Sequence, residues 1–361
     1  MKHPHPNTYP RGSAPQGPAK RLGLMIASVV SVSLGACVGC SGVQSALDTA
    51  GPRAERVSGL WWLLFWVSVA VWVVSTGMLI YALLRRRSDS APLTDTFLNR
   101  LVLWSGAIVP AVVLIGLLIF ALRTTRALAN PDVTPKVVIE VTGRQWWWRV
   151  KYLQSDDSQP TNAGDQRSVV ETANEIHIPV GEPVLLRLKS DDVIHSFWVP
   201  SLAGKMDTIP GKTNKLWIVA DRAGSFRGQC AEYCGAQHAN MAFVVIAESR
   251  QEFDQWLEHQ RQPAAAPETP VAVRGRDVFL NNQCAKCHVI RGHDSTAGDG
   301  PDLTHFASRR TIAAGTIPNT EGHLGGWIGN PQTIKPGNKM PYVPLEAEDF
   351  TDLLVYLETL R

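Results

Sequence analysis

The sequence of 361 residues lacks a marked excess of either charge. Lys and Arg together number 35 and Asp and Glu 32, so the formal net charge is only +3. A balance this mild does not predict nucleic acid as a partner, because such binding depends on a strongly basic surface. The chain also lacks an internal repeat of solenoid length. Its length instead predicts two or three separate domains.

Charged residues are absent from two long apolar runs, residues 60–84 and 101–122. Each run is long enough to cross a bilayer as a helix. Trp61 and Trp62 stand near the start of the first run, where an aromatic belt is expected. The basic residues between the runs predict that the connecting loop is cytoplasmic, so both ends of the chain lie on the outer side of the membrane.

A shorter apolar run, residues 22–36, follows Lys20 and Arg21 near the N-terminus. It is too short to span a bilayer comfortably and is typical of a secretory signal. The run ends in LGACVGC, which resembles the lipid-attachment box of bacterial lipoproteins. Cys37 is the better-placed acylation site and Cys40 the alternative. An ordinary signal with two bystander cysteines is the other interpretation.

From residue 136 onward the pattern changes to short runs rich in β-forming residues, separated by turn residues. This spacing predicts an all-β sandwich or barrel with strands at 136–141, 175–179, 183–189, 215–220 and 241–248. Helices are predicted over 251–260, 271–281 and 346–360. The predicted organisation is a signal peptide over 1–39, a transmembrane hairpin over 40–135, a β domain over 136–262, a Pro/Ala linker over 263–271 and an all-α domain over 272–361.

Soft metal ligands are concentrated in the β domain. The candidates are His195, Cys230, Cys234, His238 and Met241. Thiolate, thioether and imidazole together select copper. Two thiolates on one loop can each bridge two metal ions, so we expect two coppers with one histidine each. Met241 would be a weak axial ligand to one copper, and the backbone carbonyl of Glu232 would serve the other.

Three other interpretations of these residues stay open at this point. The two cysteines can form a disulfide, since the compartment is oxidising. They can bind zinc together with the two histidines, or one cysteine can belong to a mononuclear blue-copper site. A disulfide leaves His238 and Met241 unexplained, and zinc does not call for a methionine.

The stretches around these ligands resemble a known family. Residues 191–211, which include DDVIHS and PSLAGKMDTIPG, the aromatic stretch GRQWWW at 143–148 and the cysteine loop are all similar to subunit II of cytochrome c oxidase. The resemblance covers the apolar pair and the whole predicted β domain. It implies a cupredoxin-like Greek-key barrel that holds the dinuclear copper centre called CuA.

The resemblance also implies roles for single residues. Trp146 would lie at the surface where electrons enter, and the carboxylate of Glu232 would face subunit I and help to ligate a magnesium ion. The alternative to such a role for the three tryptophans is an aromatic girdle close to the bilayer, which suits Trp147 and Trp148. Many members of the family carry a glutamate near the start of the second transmembrane helix, which feeds a proton path. Residues 101–122 contain no carboxylate.

The all-α domain begins with the attachment motif of a c-type haem, Cys284-Ala-Lys-Cys287-His288. The two thiols would bind the haem covalently, and His288 would be an axial ligand to its iron. A redox-active Cys-x-x-Cys followed by a chance histidine is the alternative. That alternative needs a surrounding βαβ pattern, which the sequence does not show.

Met340, just before the last predicted helix, is the expected second axial ligand, because His/Met ligation suits electron transfer. The competing ligands are His293, His305 and His323. Residues 300–303, GPDL, resemble the loop of class I cytochromes c in which a proline carbonyl accepts a hydrogen bond from the axial histidine. This resemblance implies that role for Pro301. Residues 309–337 resemble the cytochrome tail of fused, caa-type subunits II.

These features together predict a subunit that accepts electrons at a covalent haem c and passes them through CuA to subunit I, which reduces O2 to water and pumps protons. Expected partners are subunits I and III, the membrane, and a soluble or membrane-bound cytochrome c or upstream complex as electron donor. We expect two passes through a bacterial cytoplasmic membrane, with both domains on the periplasmic side. A CuA-containing nitric-oxide reductase subunit and a membrane-tethered electron carrier are the alternatives.

Overall fold

The computed structural model describes residues 42–84, 94–129, 135–153, 168–293 and 298–361. The predicted export signal, Cys37 and Cys40 lie outside the described residues, as does most of the loop between the two apolar runs.

Two long apolar helical segments precede the β domain. The first is helix α1, Pro52–Leu84, and the second consists of α2, Asp95–Leu103, and α3, Val109–Ala129, joined by a π-helical turn. Both are long and apolar enough to cross a membrane, and their apolar side chains are exposed in this chain. The π turn covers Trp104–Ile108, immediately before Pro110. Proline has no N–H to donate, and a shift in the hydrogen-bond ladder is a common accommodation of that loss.

Arginines at the start of α1 hold the two helices together at one end. The Arg53 guanidinium donates to the carbonyl of Leu128 at 2.5 Å, and that of Arg56 donates to the carbonyl of Ala127 at 2.8 Å. These carbonyls belong to the last turn of α3, where no intrahelical donor remains. The arginines therefore cap α3 from the neighbouring helix.

Ten strands form two five-stranded sheets. The first sheet has the order β3-β2-β1-β5-β8 and the second the order β4-β10-β9-β6-β7. The strands are β1 Val137–Arg144, β2 Trp147–Leu153, β3 Ser168–Ala173, β4 Glu175–Pro179, β5 Val184–Ser190, β6 His195–Trp198, β7 Met206–Thr208, β8 Asn214–Ile218, β9 Gly224–Cys230 and β10 Ala242–Glu248. The pairs β1/β5 and β4/β10 are parallel, and the other pairs are antiparallel. This is the cupredoxin-like architecture that the sequence predicted.

The inner faces of the two sheets share one core. Trp148, Val150 and Tyr152 alternate along β2 and point inward. Trp148 is 0% exposed, and its ring lies 5.9 Å from that of Phe197 and 5.4 Å from that of Phe243. The expected place of Trp148 in a girdle near the bilayer is therefore wrong, because the period of two along β2 turns its side chain into the core.

The five predicted strands are present to within three residues at each end, and five further strands of the two sheets were not predicted. Three of the missed strands, β6, β7 and β9, are short or rich in polar residues and glycine. Gly228 in β9 is needed for packing, because a Cβ atom there would lie 2.2 Å from the Phe243 ring. Glycine in a strand lowers its β propensity but permits such close approach.

The C-terminal domain is built on two crossing helices, α5, Pro270–Asn281, and α8, Ala347–Thr359. Helix α4, Arg250–Arg261, precedes this domain and packs on the core of the β domain through Phe253. The C-terminal domain also contains the paired strands β11, Thr311–Ile312, and β12, Ile317–Pro318, and the short helices α6, Glu321–Gly329, and α7, Pro331–Ile334. The core between α5 and α8 includes Phe279, Leu353 and Tyr356. Helices α6 and α7 were not predicted, since four glycines in α6 weaken its helical pattern.

Gly275 is the point of closest approach between α5 and α8. A Cβ atom at this position would lie 2.0 Å from the carbonyl oxygen of Asp352. We expect Gly275→Ala to lower the free energy of unfolding by about 1–3 kcal/mol, because the helices must separate. In a domain of this size each kcal/mol corresponds to roughly 4–8 °C in the melting temperature. Differential scanning calorimetry of the C-terminal transition measures the change.

Gly322→Ala in α6 is the matched control, since no atom lies within 4 Å of a Cβ there. Its expected effect is neutral or slightly stabilising, by no more than about 1 kcal/mol. Equal melting temperatures for the two variants would show that the helix crossing tolerates a methyl group.

Candidate functional site

The pairing of three strands brings the predicted copper ligands together at one end of the β domain. His195 begins β6 and Cys230 ends β9. These strands are antiparallel neighbours, with Phe197 opposite Cys230. Strand β10 pairs with the other side of β9, with Ala242 opposite Gln229, so Met241 also returns to this end. The loop between β9 and β10 carries Cys234 and His238.

The ligand atoms of the cluster lie close to one another. Sγ of Cys230 is 3.8 Å from Sγ of Cys234 and 3.9 Å from Nδ1 of His195. Sγ of Cys234 is 3.6 Å from Nδ1 of His238 and 3.8 Å from Sδ of Met241. His195 and Met241 are 0% exposed, and the two cysteines are 3–4% exposed. The two thiols thus form the centre of a buried cluster, with one imidazole beside each of them.

A carboxylate orients His195. Its Nε2 atom lies 2.8 Å from Oδ1 of Asp192, and its Nδ1 atom faces Cys230. An N–H donated to a carboxylate fixes the tautomer of a metal-binding histidine and the direction of its other nitrogen. Gly143 lies against the same ring, because a Cβ atom there would be 2.7 Å from Cδ2 of His195. The histidine is therefore held from both sides.

The carboxylate of Asp192 is itself bound by backbone donors. Burial alone would raise its pKa, but hydrogen bonds from the N–H of Gln145, from His195 and from the N–H of Val193 lower the pKa below its ordinary value. Burial opposes the charged form of His195, yet the neighbouring Cys230 and Asp192 raise its pKa. Asp192 therefore stays ionised and able to accept the imidazole N–H.

The two thiols differ in acidity because they lie side by side. The hydrogen bond between the two thiols lowers the pKa of Cys230 against the effect of burial, and His195 acts in the same direction as the hydrogen bond. The pKa of Cys234 is raised by that same hydrogen bond and by burial. The two pKa values move in opposite directions because the sulfurs share one hydrogen bond.

Residues of the aromatic stretch contact the cysteine loop directly. Nε2 of Gln145 and the indole Nε1 of Trp146 donate to the carbonyl of Cys234 at 2.8 and 2.9 Å. The carbonyl of Glu232 lies 3.1 Å from Sγ of Cys230, while the residue itself is exposed. The carbonyl thus faces the cluster, and the carboxylate is accessible from outside.

The haem motif forms a short 3-10 helix, Cys284–Lys286, directly after α5. Both cysteines are free and half-buried. Burial lowers the pKa of His288 and so favours the neutral ring, whose Nδ1 lies 2.8 Å from the carbonyl oxygen of Pro301. A ring that donates from Nδ1 carries its lone pair on Nε2. Gly300 packs on this ring, because a Cβ atom there would lie 2.7 Å from Cε1.

Met340 closes a tightly bonded loop. Its N–H donates to Oδ1 of Asn338 at 2.8 Å, and its carbonyl accepts from Nε2 of Gln332 at 2.9 Å. The competing histidines have other partners. Nδ1 of His293 bonds the hydroxyl of Tyr356, both ring nitrogens of His305 face backbone carbonyls, and Nδ1 of His323 lies 2.8 Å from Oγ1 of Thr320.

Lys335, which precedes the Met340 loop, bonds the backbone beside the copper cluster, and this role was not predicted from the sequence, where the residue was noted only as part of the stretch that resembles the cytochrome tail. The residue is 2% exposed, and its Nζ donates to the carbonyls of Asn240, Trp146 and Ala313. Burial lowers the pKa of Lys335 to about 7, although the neighbouring Cys234 acts in the opposite direction. Three acceptors match the three N–H donors of an ammonium group, so the hydrogen bonds favour the charged form.

Asp192 and Gln145 were also missed as functional residues. A signal for Asp192 was present, since a carboxylate three residues before a candidate metal histidine can reach the ring across a turn. Gln145 carried no such signal, because its role depends on the separate loop that holds Cys234.

Comparisons with known proteins identify both globular domains. The family described as cytochrome c oxidase subunit II, periplasmic domain, matches residues 137–248, and the cytochrome c family matches residues 272–361. Cytochrome c oxidase subunit 2 of Alkalihalophilus pseudofirmus is 36% identical over 335 residues, which cover 90% of this chain and 93% of that protein. The Bacillus sp. strain PS3 protein of the same name is 32% identical over 72% of this chain and 74% of its own length.

The solved structures that resemble the chain include the periplasmic domain of subunit II of cytochrome oxidase from Bradyrhizobium japonicum. It is 31% identical, with a TM-score of 0.30, and the match covers 36% of this chain and 97% of that one. Because the sequence similarity to the Alkalihalophilus protein extends through the helical hairpin, the β domain and the C-terminal domain, the chain belongs to the cytochrome c oxidase subunit 2 family and carries a cytochrome c domain at its C-terminus.

Proposed function

We propose that two sets of residues in this chain carry the electrons that it delivers to subunit I. The copper set is His195, Cys230, Glu232 through its carbonyl, Cys234, His238 and Met241. The haem set is Cys284, Cys287, His288 and Met340. The observation that carries the proposal is the pair of buried, free thiols 3.8 Å apart, with an imidazole nitrogen beside each.

Family membership fixes the coarser part of the function. The chain is a subunit of a haem–copper oxidase, its family implies a CuA copper centre, and its cytochrome c domain implies a haem. The role of such a subunit is to accept electrons and pass them to subunit I, where O2 is reduced. Copper and haem iron each supply reversible one-electron redox chemistry. The protein supplies ligands, their orientation and the exclusion of water.

The described residues fit a copper centre. The sulfurs of Cys230 and Cys234 are free and far beyond the S–S distance of a disulfide, about 2.05 Å. Thiolate, thioether and imidazole are the ligands that copper prefers. Zinc is bound by thiolate, imidazole and carboxylate, so a zinc site would not account for Sδ of Met241, which lies 3.8 Å from Sγ of Cys234. Asp192 fixes the His195 tautomer in which Nδ1 is available to the metal.

The residues of the cytochrome domain fit a covalent haem. The two free cysteines of the attachment motif lie beside His288, whose Nδ1 bonds the Pro301 carbonyl. That bond makes Nε2 the ligand atom, as expected for an axial histidine. The partners of His293, His305 and His323 elsewhere in the domain support Met340 as the second axial ligand.

Several finer assignments belong to the same proposal. Glu232, with its exposed side chain, would ligate magnesium together with subunit I, and Trp146 would carry electrons into the copper centre. Subunit III and a cytochrome c or upstream complex are the further partners, and the bacterial inner membrane is the location. The signal peptide, acylation at Cys37 or Cys40, and the domain limits stay predictions from the sequence. The nitric-oxide reductase and tethered-carrier alternatives are not favoured, because the relatives are oxidase subunits.

Metal and haem content of the detergent-purified native complex tests the proposal. We expect two coppers and one covalently bound haem per copy of this chain, with a further copper and two haems on the co-purifying large subunit. Copper assigned to the large subunit alone would contradict the copper assignment and would leave Cys230 and Cys234 as a structural pair.

Cys234→Ser removes one of the two bridging sulfurs. We expect the near-infrared copper band to disappear while the haem absorbance persists, because the haem residues lie in a separate domain. Oxygen consumption should fall by more than about 100-fold, the upper range for residues that merely orient a metal ligand. Optical and electron paramagnetic resonance spectra of the purified complex give the measurement. Ala236→Ser, an exposed change on the same loop, is the control and should keep the band.

Met340→Ala removes the proposed axial thioether. We expect loss of the weak far-red band of an oxidised His/Met haem and a lower midpoint potential, because the thioether stabilises the reduced iron. Spectroelectrochemical titration of the complex measures both. His323→Ala should leave the band and the potential unchanged; the opposite pattern in the two variants would assign the ligand to His323.

A further inference from the structure

The cytochrome domain rests directly on the segments that carry the copper ligands. The carbonyl of Pro336 accepts from Nε2 of Gln237 at 2.7 Å, and the N–H of Ala242 donates to the carbonyl of Ala314 at 3.0 Å. Gln237 adjoins His238, and Ala242 adjoins Met241. The loop between β9 and β10, residues 231–241, here called the copper loop, is therefore bonded to the cytochrome domain beside His238 and just after Met241.

Lys335 lies at the centre of this contact. Its Nζ donates to Asn240 O at 2.6 Å, Trp146 O at 2.8 Å and Ala313 O at 3.0 Å. These three carbonyls come from the copper loop, the turn between β1 and β2, and the β11/β12 turn of the cytochrome domain. One side chain thus joins three segments that no strand pairing connects.

Lys335 is unusual because it is buried and no carboxylate in the described part of the chain forms an ion pair with it. It is 2% exposed, and three neutral carbonyls complete its hydrogen bonding. Hydrogen bonds from a charged donor are stronger than neutral ones, and the loss of a donor leaves buried acceptors unsatisfied. Removal of this ammonium would therefore leave three backbone carbonyls without their donor at one interface.

The position of Lys335 along the chain connects the two redox sites. It lies five residues before Met340 and bonds the carbonyl of Asn240, the residue that immediately precedes Met241. Its other acceptor in the β domain is the carbonyl of Trp146, a residue whose indole Nε1 donates to the carbonyl of Cys234. The side chain thus bonds the backbone beside the copper ligands, while the residue itself lies five positions before the proposed haem ligand Met340 in the sequence.

We propose that Lys335 is a positioning residue that locks the cytochrome domain onto the copper loop, so that electrons pass from haem to copper in one fixed geometry. The proposal rests on the function proposed above for the two ligand sets. Electron tunnelling decays exponentially with distance, so the rate depends on how closely the two domains are held. The short linker keeps the domains at high local concentration even when they are not docked.

Lys335→Met tests the proposal in the complete oxidase complex. The methionine keeps most of the apolar volume and removes all three donors. We expect the rate of electron transfer from haem to copper after flash photoreduction to fall about tenfold or more, since tenfold corresponds to only 1.4 kcal/mol. The rate should also become sensitive to added glycerol, because the loosened domain must diffuse back before each transfer.

Lys339→Met is the matched control. This lysine lies on the same loop but is 73% exposed, with one long ion pair of 3.9 Å to Asp192. An exposed ion pair contributes little to stability. The rate of electron transfer in Lys339→Met should therefore stay within about twofold of the parent rate and should not depend on glycerol. Lys335→Arg, which keeps the charge and several donors, should recover most of the lost rate.

A parent-like rate without glycerol dependence in Lys335→Met would overturn the proposal. If that variant does not assemble, Lys335→Gln is measured in the same way, and a parent-like rate there would have the same consequence. Each sample is first checked for the copper band and covalent haem. Absence of either in the parent complex contradicts the proposed function, whereas intact bands with an unchanged rate contradict only the role of Lys335.

Discussion

The closeness of two buried thiols is the constraint around which the β domain is arranged. Cys230 and Cys234 approach to 3.8 Å because β9 runs between β6 and β10, so that its last residue meets His195 on one side and the segment before β10 on the other. The mutual hydrogen bond also separates the acidities of the two sulfurs. A site of this kind needs close support on every side, which explains why glycine is required at position 143 against the His195 ring.

The support extends outward in two layers of hydrogen bonds. Asp192 holds His195, and the N–H of Gln145 in turn holds Asp192. Gln145 and Trp146 bind the carbonyl of Cys234, which fixes the loop from the opposite sheet. The residues of the aromatic stretch thus have two functions, since Trp148 fills the core while its neighbours hold the copper loop.

The cytochrome domain positions its proposed axial histidine by the same kinds of contact as the copper site. Pro301 and Gly300 hold His288 as Asp192 and Gly143 hold His195: one hydrogen-bond acceptor sets the tautomer, and one glycine allows the backbone to approach the ring. Lys335 then joins the two sites through backbone carbonyls alone. Every residue has a backbone carbonyl, whatever its side chain. The hydrogen bonds of Lys335 therefore do not require particular side chains at the three residues that accept them.

The sequence by itself determined the two apolar helices, the β and helical domains, and the ligand candidates, because periodicity and ligand spacing are local properties. Ligands within twelve residues and the Cys-x-x-Cys-His motif needed no folded structure for their recognition. Only the tertiary structure decided the burial of Trp148, the short strands that hold His195, and the roles of Asp192, Gln145 and Lys335. Each of these depends on a partner far away in the chain, and a single sequence does not record which distant backbone carbonyl a lysine will meet.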